Sequence, residues 1–300
     1  MATPAELHPD LRGDEHRAAS ARDRRIKHFF TPQSTARASA ILFGYAVSIV
    51  ALLGLAQVAG HPAVTILAAM LIASLLKGLN NIVHECSHHS FSKDRAFNER
   101  VGSILCVTLL SDYASYKKEH SSHHRFLGDY AHDLDFQLRQ PLGHDLAFRW
   151  RRVLGHLATF RFLWFYVPRV RLTRREHQGG VALFALVLGG LIVLEAYQAA
   201  LAFALAHVVF LAFLRFLIDI VDHGGIYLAD QSELYKSRNF ILHNAALRWM
   251  FFPRNDCYHL IHHLYPYLPV ASFGEVHTIL MEDPDYRNLR HRATFHLSHR

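Results

Sequence analysis

The chain has 300 residues, 51% of them hydrophobic, and a formal net charge of +7. Uncharged runs about as long as the ~20 residues a helix needs to cross a bilayer exclude an ordinary soluble domain. Three cysteines, Cys86, Cys106 and Cys257, without C-x-x-C spacing, exclude a disulfide framework.

In chain order, a basic tail over 1–38 comes first (Arg12, Arg17, Arg22, Arg24, Arg25, Lys27, Arg37) and is expected to be partly disordered. Its acidic residues Glu6, Asp10, Asp14, Glu15 and Asp23 argue against a mitochondrial presequence, and its length before the first apolar run argues against a cleavable signal. Residues 39–300 are expected to form a single membrane-embedded domain. The stretch AILFGYAVSIVALLGLAQVAG, Ala40 to Gly60, carries no formal charge, and Pro62 to Leu76 is as apolar before Lys77. These runs predict spans over 40–59 and 62–83, joined at AGHP. A long basic middle segment follows. Within it AFRWRRVLGHLATFRFLWFYVPRVRLTRR mixes arginines with Trp150, Trp164 and phenylalanines, which predicts an interfacial helix pair. Val181 to Leu194 and Leu201 to Leu214, broken by Glu195 and Gln198, predict spans over 180–196 and 199–221.

The fold expected is all-α and membrane-integral: four transmembrane helices in two hairpins with a cytosolic helical cap. Lysine and arginine collect in the tail, the middle segment and the C-terminal segment, whereas the hairpin tips AGHP and EAYQ have none. The positive-inside rule therefore puts both termini and the basic segments in the cytosol, and makes the charge topological rather than a nucleic-acid footprint.

Of 24 histidines, nine fall in three short clusters, HECSHHS (His84, His88, His89), HSSHH (His120, His123, His124) and CYHLIHHLYP (His259, His262, His263). Each cluster is placed by the topology on the cytosolic side, His84 at the exit of the second span, and His223 at the equivalent depth in the fourth. In a helix, positions i and i+4 differ by roughly 40° and i and i+3 by roughly 60°, while neighbours diverge by roughly 100°. The first histidine of HSSHH or HLIHH thus shares a face with the two that follow, and those two can aim at different ions. Nine imidazoles exceed the needs of one tetrahedral ion and fit two metals better. His88 is a better face-mate for His84 than His89, which needs a distorted helix end. Single histidines such as His61, His177 and His291 read as interfacial anchors, and His207 as an interhelical hydrogen bonder.

Together HECSHH, HSSHH and HLIHH resemble, in order and placement, the three histidine boxes of the integral-membrane fatty acid desaturase and hydroxylase superfamily. NDCYHLIHHLYPYLP is similar to the third-box region and HHRFLGDYAHDLDF to the second-box region of the sphingolipid-desaturase branch; the likeness runs from about residue 35 to 280. The resemblance implies two iron ions held by His84, His88 or His89, His120, His123, His124, His259, His262 and His263, with His223 as a further ligand and no catalytic residues beyond the ligands. Where relatives carry a water-holding asparagine, this chain has Asp219, and Asp222 is placed to orient His223. It also implies O2 as co-substrate, a lipid acyl substrate, and a separate electron donor, a ferredoxin or b-type cytochrome, docking on the basic cytosolic face. HPDLRG lacks the double glycine of a fused haem domain. Desaturation is the expected reaction, with hydroxylation by the same superfamily as the near alternative and metal transport as the distant one.

Overall fold

Helix boundaries follow from the capping groups at each end. Helix α1, Thr35–Ala59, starts at Ser34, whose Oγ accepts the Arg37 N–H (3.3 Å), and stops at Gly60, whose φ of 60° lies in the left-handed region that glycine enters without strain. Pro62 then opens α2, Pro62–Ser87, with His61 Nδ1 accepting the Ala63 N–H at 3.2 Å. His61 is therefore a helix cap. Aspartates start the next two helices: Asp94 accepts from Phe97 ahead of α3, Arg95–Thr108, and Asp112 accepts from Ser115 ahead of α4, Tyr113–Phe126.

Three short helices follow, α5 (Leu134–Arg139), α6 (Trp150–Ala158) and α7 (Arg161–Tyr166). Two long apolar ones come next, α8 (Arg175–Val193) and α9 (Tyr197–His223), the latter containing one π turn at Ala206–Phe210. The C-terminal part holds α10 (Glu233–Lys236), α11 (Ala245–Phe251), a 3-10 stretch Pro253–Tyr258, α12 (His259–Leu264), α13 (Phe273–Leu280) and α14 (Pro284–Arg287). The computed structural model describes residues 24–129, 131–139, 150–168, 170–224, 233–289 and 291; most of the expected N-terminal tail, and residues 140–149 ahead of α6, lie outside the described residues. Among the described residues every helix or strand assigned is a helix.

Four helices, α1, α2, α8 and α9, are long and apolar enough to cross a membrane. They coincide in number and place with the four expected spans, but not in their ends: α1 begins at Thr35, α2 continues to Ser87, α8 runs from Arg175 only to Val193, and α9 reaches His223. Charge marks where lipid ends, whereas caps mark where a helix ends, and a helix that carries histidines out of the membrane must overrun the lipid.

The four helices divide into two kinds. In α2 and α9, 61% and 50% of the apolar window is buried, against 6% in α1 and 11% in α8. Buried alanines explain the close packing of the inner pair: Ala68, Ala69 and Ala73 of α2 and Ala202 and Ala206 of α9 let the backbones approach. The outer pair turns Phe43, Val50, Leu186 and Val193 outward, a surface that suits lipid. Helices α6 and α7, joined at Phe160 (φ 53°), lay Val153 and Phe162 against Phe216 and Ile220 of α9 and leave Trp164 exposed.

Three histidines depart from expectation. Among the described residues His207 makes no interhelical hydrogen bond; its Nδ1 meets the Phe203 carbonyl of its own helix at 2.9 Å, beside the π turn. His177 and His291 are buried structural groups, not interfacial anchors: His177 Nδ1 accepts the Arg171 N–H and His291 Nε2 donates to the Tyr286 carbonyl.

Helix α8 meets α3 at Gly180, where an added Cβ would sit 2.7 Å from the Val107 carbonyl oxygen, a backbone atom that cannot yield. Nothing lies within 4 Å of the same atom built on Gly189. Gly180→Val is expected to cost about 1–3 kcal/mol through overpacking and to lower the thermal midpoint of the detergent-solubilised protein, while Gly189→Val leaves it unchanged or slightly raised. Equal midpoints for the two variants would contradict this packing.

Candidate metal centre

Four separate elements bring histidines together. The end of α2 supplies His84 and His88, α4 supplies His120, His123 and His124, the end of α9 supplies His223, and α12 supplies His259, His262 and His263. Their ring nitrogens form two groups. His84, His88, His120, His124 and His262 make one, and His123, His223, His259 and His263 the other, each with its donor atoms within 4.8 Å of one another. The partition follows helix geometry. Each i,i+4 pair, His84 with His88, His120 with His124 and His259 with His263, stays together, while the adjacent pairs His123/His124 and His262/His263 divide between the groups.

His89 stands outside both groups. It follows the last turn of α2 with a φ of 55°, and its Nε2 lies 3.8 Å from a Glu99 carboxylate oxygen. The distorted helix end is present, but it turns His89 away from His84 rather than toward it.

One segment is fastened to α2 to make the arrangement possible. Arg254 and Asn255 both have left-handed φ angles, 61° and 59°, which turn the chain sharply ahead of α12. Arg254 makes a bidentate pair with Glu85, and Lys77 donates to Asp256 at 2.7 Å. Asn81 Nδ2 donates to the Pro253 carbonyl and Ser74 Oγ to that of Met250. Every partner on the α2 side lies within three turns of His84, so the contacts that hold the turn also set His262 beside it.

Ring orientation is fixed from behind. His123 Nδ1 faces the fully buried Asp133 at 3.0 Å, His223 Nδ1 faces the Lys236 carbonyl at 3.0 Å, and His259 Nδ1 lies 3.3 Å from an Asp222 oxygen. Carboxylates and carbonyls only accept, so a neutral ring facing one carries its proton on Nδ1 and its lone pair on Nε2. Asp222 thus supports His259; its helix neighbour His223 points about 100° away and uses Lys236 instead. Asp219 lies outside both groups and accepts a short hydrogen bond from Tyr166. Asp133 sits in the aspartate-bearing run after HSSHH, which was its sequence signal. The carbonyl of Lys236 had none.

The donor set passes a test for cations. His123 and His259 approach His223 Nε2 to Nε2 at 3.1 and 2.8 Å. In the other group His84 and His124 each bring Nε2 to 2.8 Å from that of His262, and His88 and His120 close to 2.7 Å. Burial first, and the neighbouring imidazoles second, push His88, His120, His124, His259, His262 and His263 well below the ordinary histidine range, so these rings are neutral. Lone pairs converging at such distances repel unless a cation stands among them. Donors about 2.1 Å from an ion and at right angles to each other lie about 3 Å apart, the spacing seen here.

Beside the two groups lies a cavity of about 400 Å³, walled by His84, His120, His123, His223 and His259 and bounded by Tyr166 and Asp219. Bound ions would therefore front onto open space able to take a substrate.

Comparison with known proteins agrees with this geometry. The fatty acid desaturase family model matches residues 60–295. Dihydrorhizobitoxine desaturase of Bradyrhizobium elkanii is 25% identical over 242 residues, 73% of this chain and 68% of the relative. A Delta(12) fatty acid desaturase of Calendula officinalis is 46% identical over 52 residues, and an endoplasmic reticulum omega-6 fatty acid desaturase of Glycine max 44% over 62. These two matches cover 17% and 21% of this chain but only 14% and 16% of the relatives. With four helices able to cross a membrane and two groups of imidazoles able to hold metal, the chain belongs to the fatty acid desaturase family.

Proposed function

We propose that the chain is an O2-dependent desaturase that holds two iron ions on its two imidazole groups and forms a carbon–carbon double bond in a lipid acyl chain. The observation that carries this reading is the convergence of nine histidine Nε2 atoms into two adjacent groups beside a cavity. In the overall balance, one –CH2–CH2– unit, O2, two electrons and two protons become –CH=CH– and two molecules of water. Two bound irons supply redox chemistry strong enough to break unactivated C–H bonds, which no side chain can do.

The chain's own residues hold, orient and shield. His84, His88, His120, His124 and His262 would hold one ion, and His123, His223, His259 and His263 the other. Asp133, Asp222 and the Lys236 carbonyl keep protons on Nδ1 so that the inward nitrogens stay free to ligate. Burial keeps most of these rings neutral and excludes water that would intercept a reactive site. The distribution of Lys and Arg supports placing the termini and histidines in the cytosol, where a separate ferredoxin or b-type cytochrome would deliver electrons to a basic face.

The relatives' names favour desaturation over hydroxylation, which uses the same ligands and differs only in returning oxygen to the substrate. The family match leaves a metal transporter without support. One relative is named for dihydrorhizobitoxine, so the comparisons bear more firmly on the reaction than on the substrate.

Two outcomes are expected. His124→Ala and His262→Ala remove donors from the five-histidine group; iron measured by elemental analysis falls from about two per chain toward one, activity is lost, and the protein still inserts into membranes. Full iron content with retained turnover in either variant would overturn the ligand assignment. Mass spectrometry of lipids from cells expressing the chain should show products lighter by two hydrogens. Products heavier by one oxygen would establish the hydroxylase instead.

A further inference from the structure

Arg215 is the feature that metal binding does not explain. It lies inside α9 among Leu214, Phe216 and Leu217, eight residues before His223, or roughly 12 Å along the helix. A guanidinium within a membrane-crossing helix is costly and needs a partner. Two neighbouring buried cations have one: Lys77 pairs with Asp256 and Arg254 with Glu85. Arg215 has only an amide, its Nε donating to Asn80 Oδ1 at 3.0 Å, and no carboxylate stands within ion-pair distance of it among the described residues. Asp219, one turn along the same helix and the obvious i,i+4 partner, is held by Tyr166. Arg215 and Asn80 line the same cavity as His84 and His223.

An unmatched fork of donors in the wall of a substrate cavity fits an anion carried in by the substrate. Its planar geometry selects a carboxylate, which it can grip with two parallel hydrogen bonds. Depth separates the possible carriers of that carboxylate. An acyl group esterified to a phospholipid or thioester-linked to a carrier keeps its carbonyl end at or outside the membrane surface, and its leading end is a methyl group that prefers an apolar floor. Here the cavity carries a guanidinium and an amide two turns deeper in the span than His223.

We infer that the substrate is an unesterified carboxylic acid that enters head first, with its carboxylate on Arg215 and Asn80 and its saturated carbons beside the histidine groups. This rests on the desaturase reading above and narrows its acyl substrate to the free acid. The spacing between Arg215 and His223 corresponds to on the order of ten C–C bonds of an extended chain, so acids of short to medium length reach both ends.

The test is titration calorimetry of the purified, iron-loaded protein with octanoate and with methyl octanoate, which differ in charge at one end. Octanoate should bind wild type roughly 10- to 100-fold more tightly than the ester, the worth of one charge-assisted hydrogen-bonded contact. Arg215→Gln should bring octanoate down to the level of the ester and leave the ester unchanged, and Arg215→Lys should fall between. Equal affinity of wild type for acid and ester, no binding of octanoate, or an acid preference that survives in Arg215→Gln would each overturn the inference. The wild-type comparison stands even where a variant fails to fold. Iron is counted on the same samples: an acid preference without iron would fault the metal reading alone, and two irons without the preference would fault this one alone.

Discussion

Imidazole nitrogens brought to within about 3 Å of each other, in rings that are for the most part neutral, are the constraint on which this structure turns. Such a set repels itself. The folded chain must supply enough binding energy elsewhere to hold it, or an ion must replace the repulsion with coordination, and the arrangement shows both. Burial makes neutrality the favoured state of the rings, removing charge repulsion but leaving the lone pairs opposed. Whatever occupies the centre therefore also acts as a structural clamp joining the ends of α2 and α9 to α4 and α12. Metal occupancy and stability of this end of the molecule would be linked, because ions would bind the folded arrangement and have no comparable site in an unfolded chain.

The fastening of the Arg254–Asp256 turn to α2 is the second half of the same problem. Two non-glycine residues in the left-handed region cost of order 1–3 kcal/mol each. The turn persists because Glu85 and Lys77 grip Arg254 and Asp256, and because Asn81 and Ser74 take the neighbouring carbonyls. Buried ion pairs are poor sources of net stability, since desolvation offsets most of their attraction. Their value here is register. A slip of α12 by one residue would put one of His262 and His263 in the other's place and a leucine or isoleucine in the vacated one, and would also leave four charges unpaired in the interior.

The sequence made eight of the nine grouped histidines legible because they obey a short-range rule, and His223 only through its depth in the fourth span. Spacings of four residues on a helix put His84 with His88, His120 with His124 and His259 with His263, and adjacency sends His124 and His123, or His262 and His263, to different groups. The exclusion of His89 was half visible, since only its backbone φ decided which way the helix end would turn. Long-range partners were not legible. Glu85 with Arg254, Lys77 with Asp256 and His223 with the Lys236 carbonyl join residues whose pairing depends on how whole helices dock. Asp222 was misdirected to His223 because chain proximity stood in for direction in space. The π turn at Ala206–Phe210 left no trace in composition, since hydropathy reports where a helix meets lipid and not how its hydrogen bonds are counted.

Charge balance ties the centre to the cavity. Imidazole ligands are neutral, so two divalent ions would bring positive charge that their donors do not cancel, in a region from which water is largely excluded. The carboxylates nearest the rings lie behind them rather than on the ions: Asp133 against His123 and Asp222 against His259. Neutralisation from that distance would leave bound ions stronger electrophiles than direct carboxylate ligation would. The same field would repel a cation and draw an anion into the cavity. Arg215 lies farther along that path, at a depth where lipid offers no counter-charge. A substrate bearing a carboxylate would be attracted by the centre and then held beyond it by the guanidinium, drawing its uncharged carbons past the histidines. Electrostatics that at first concern only metal retention thereby also set the direction in which a substrate enters.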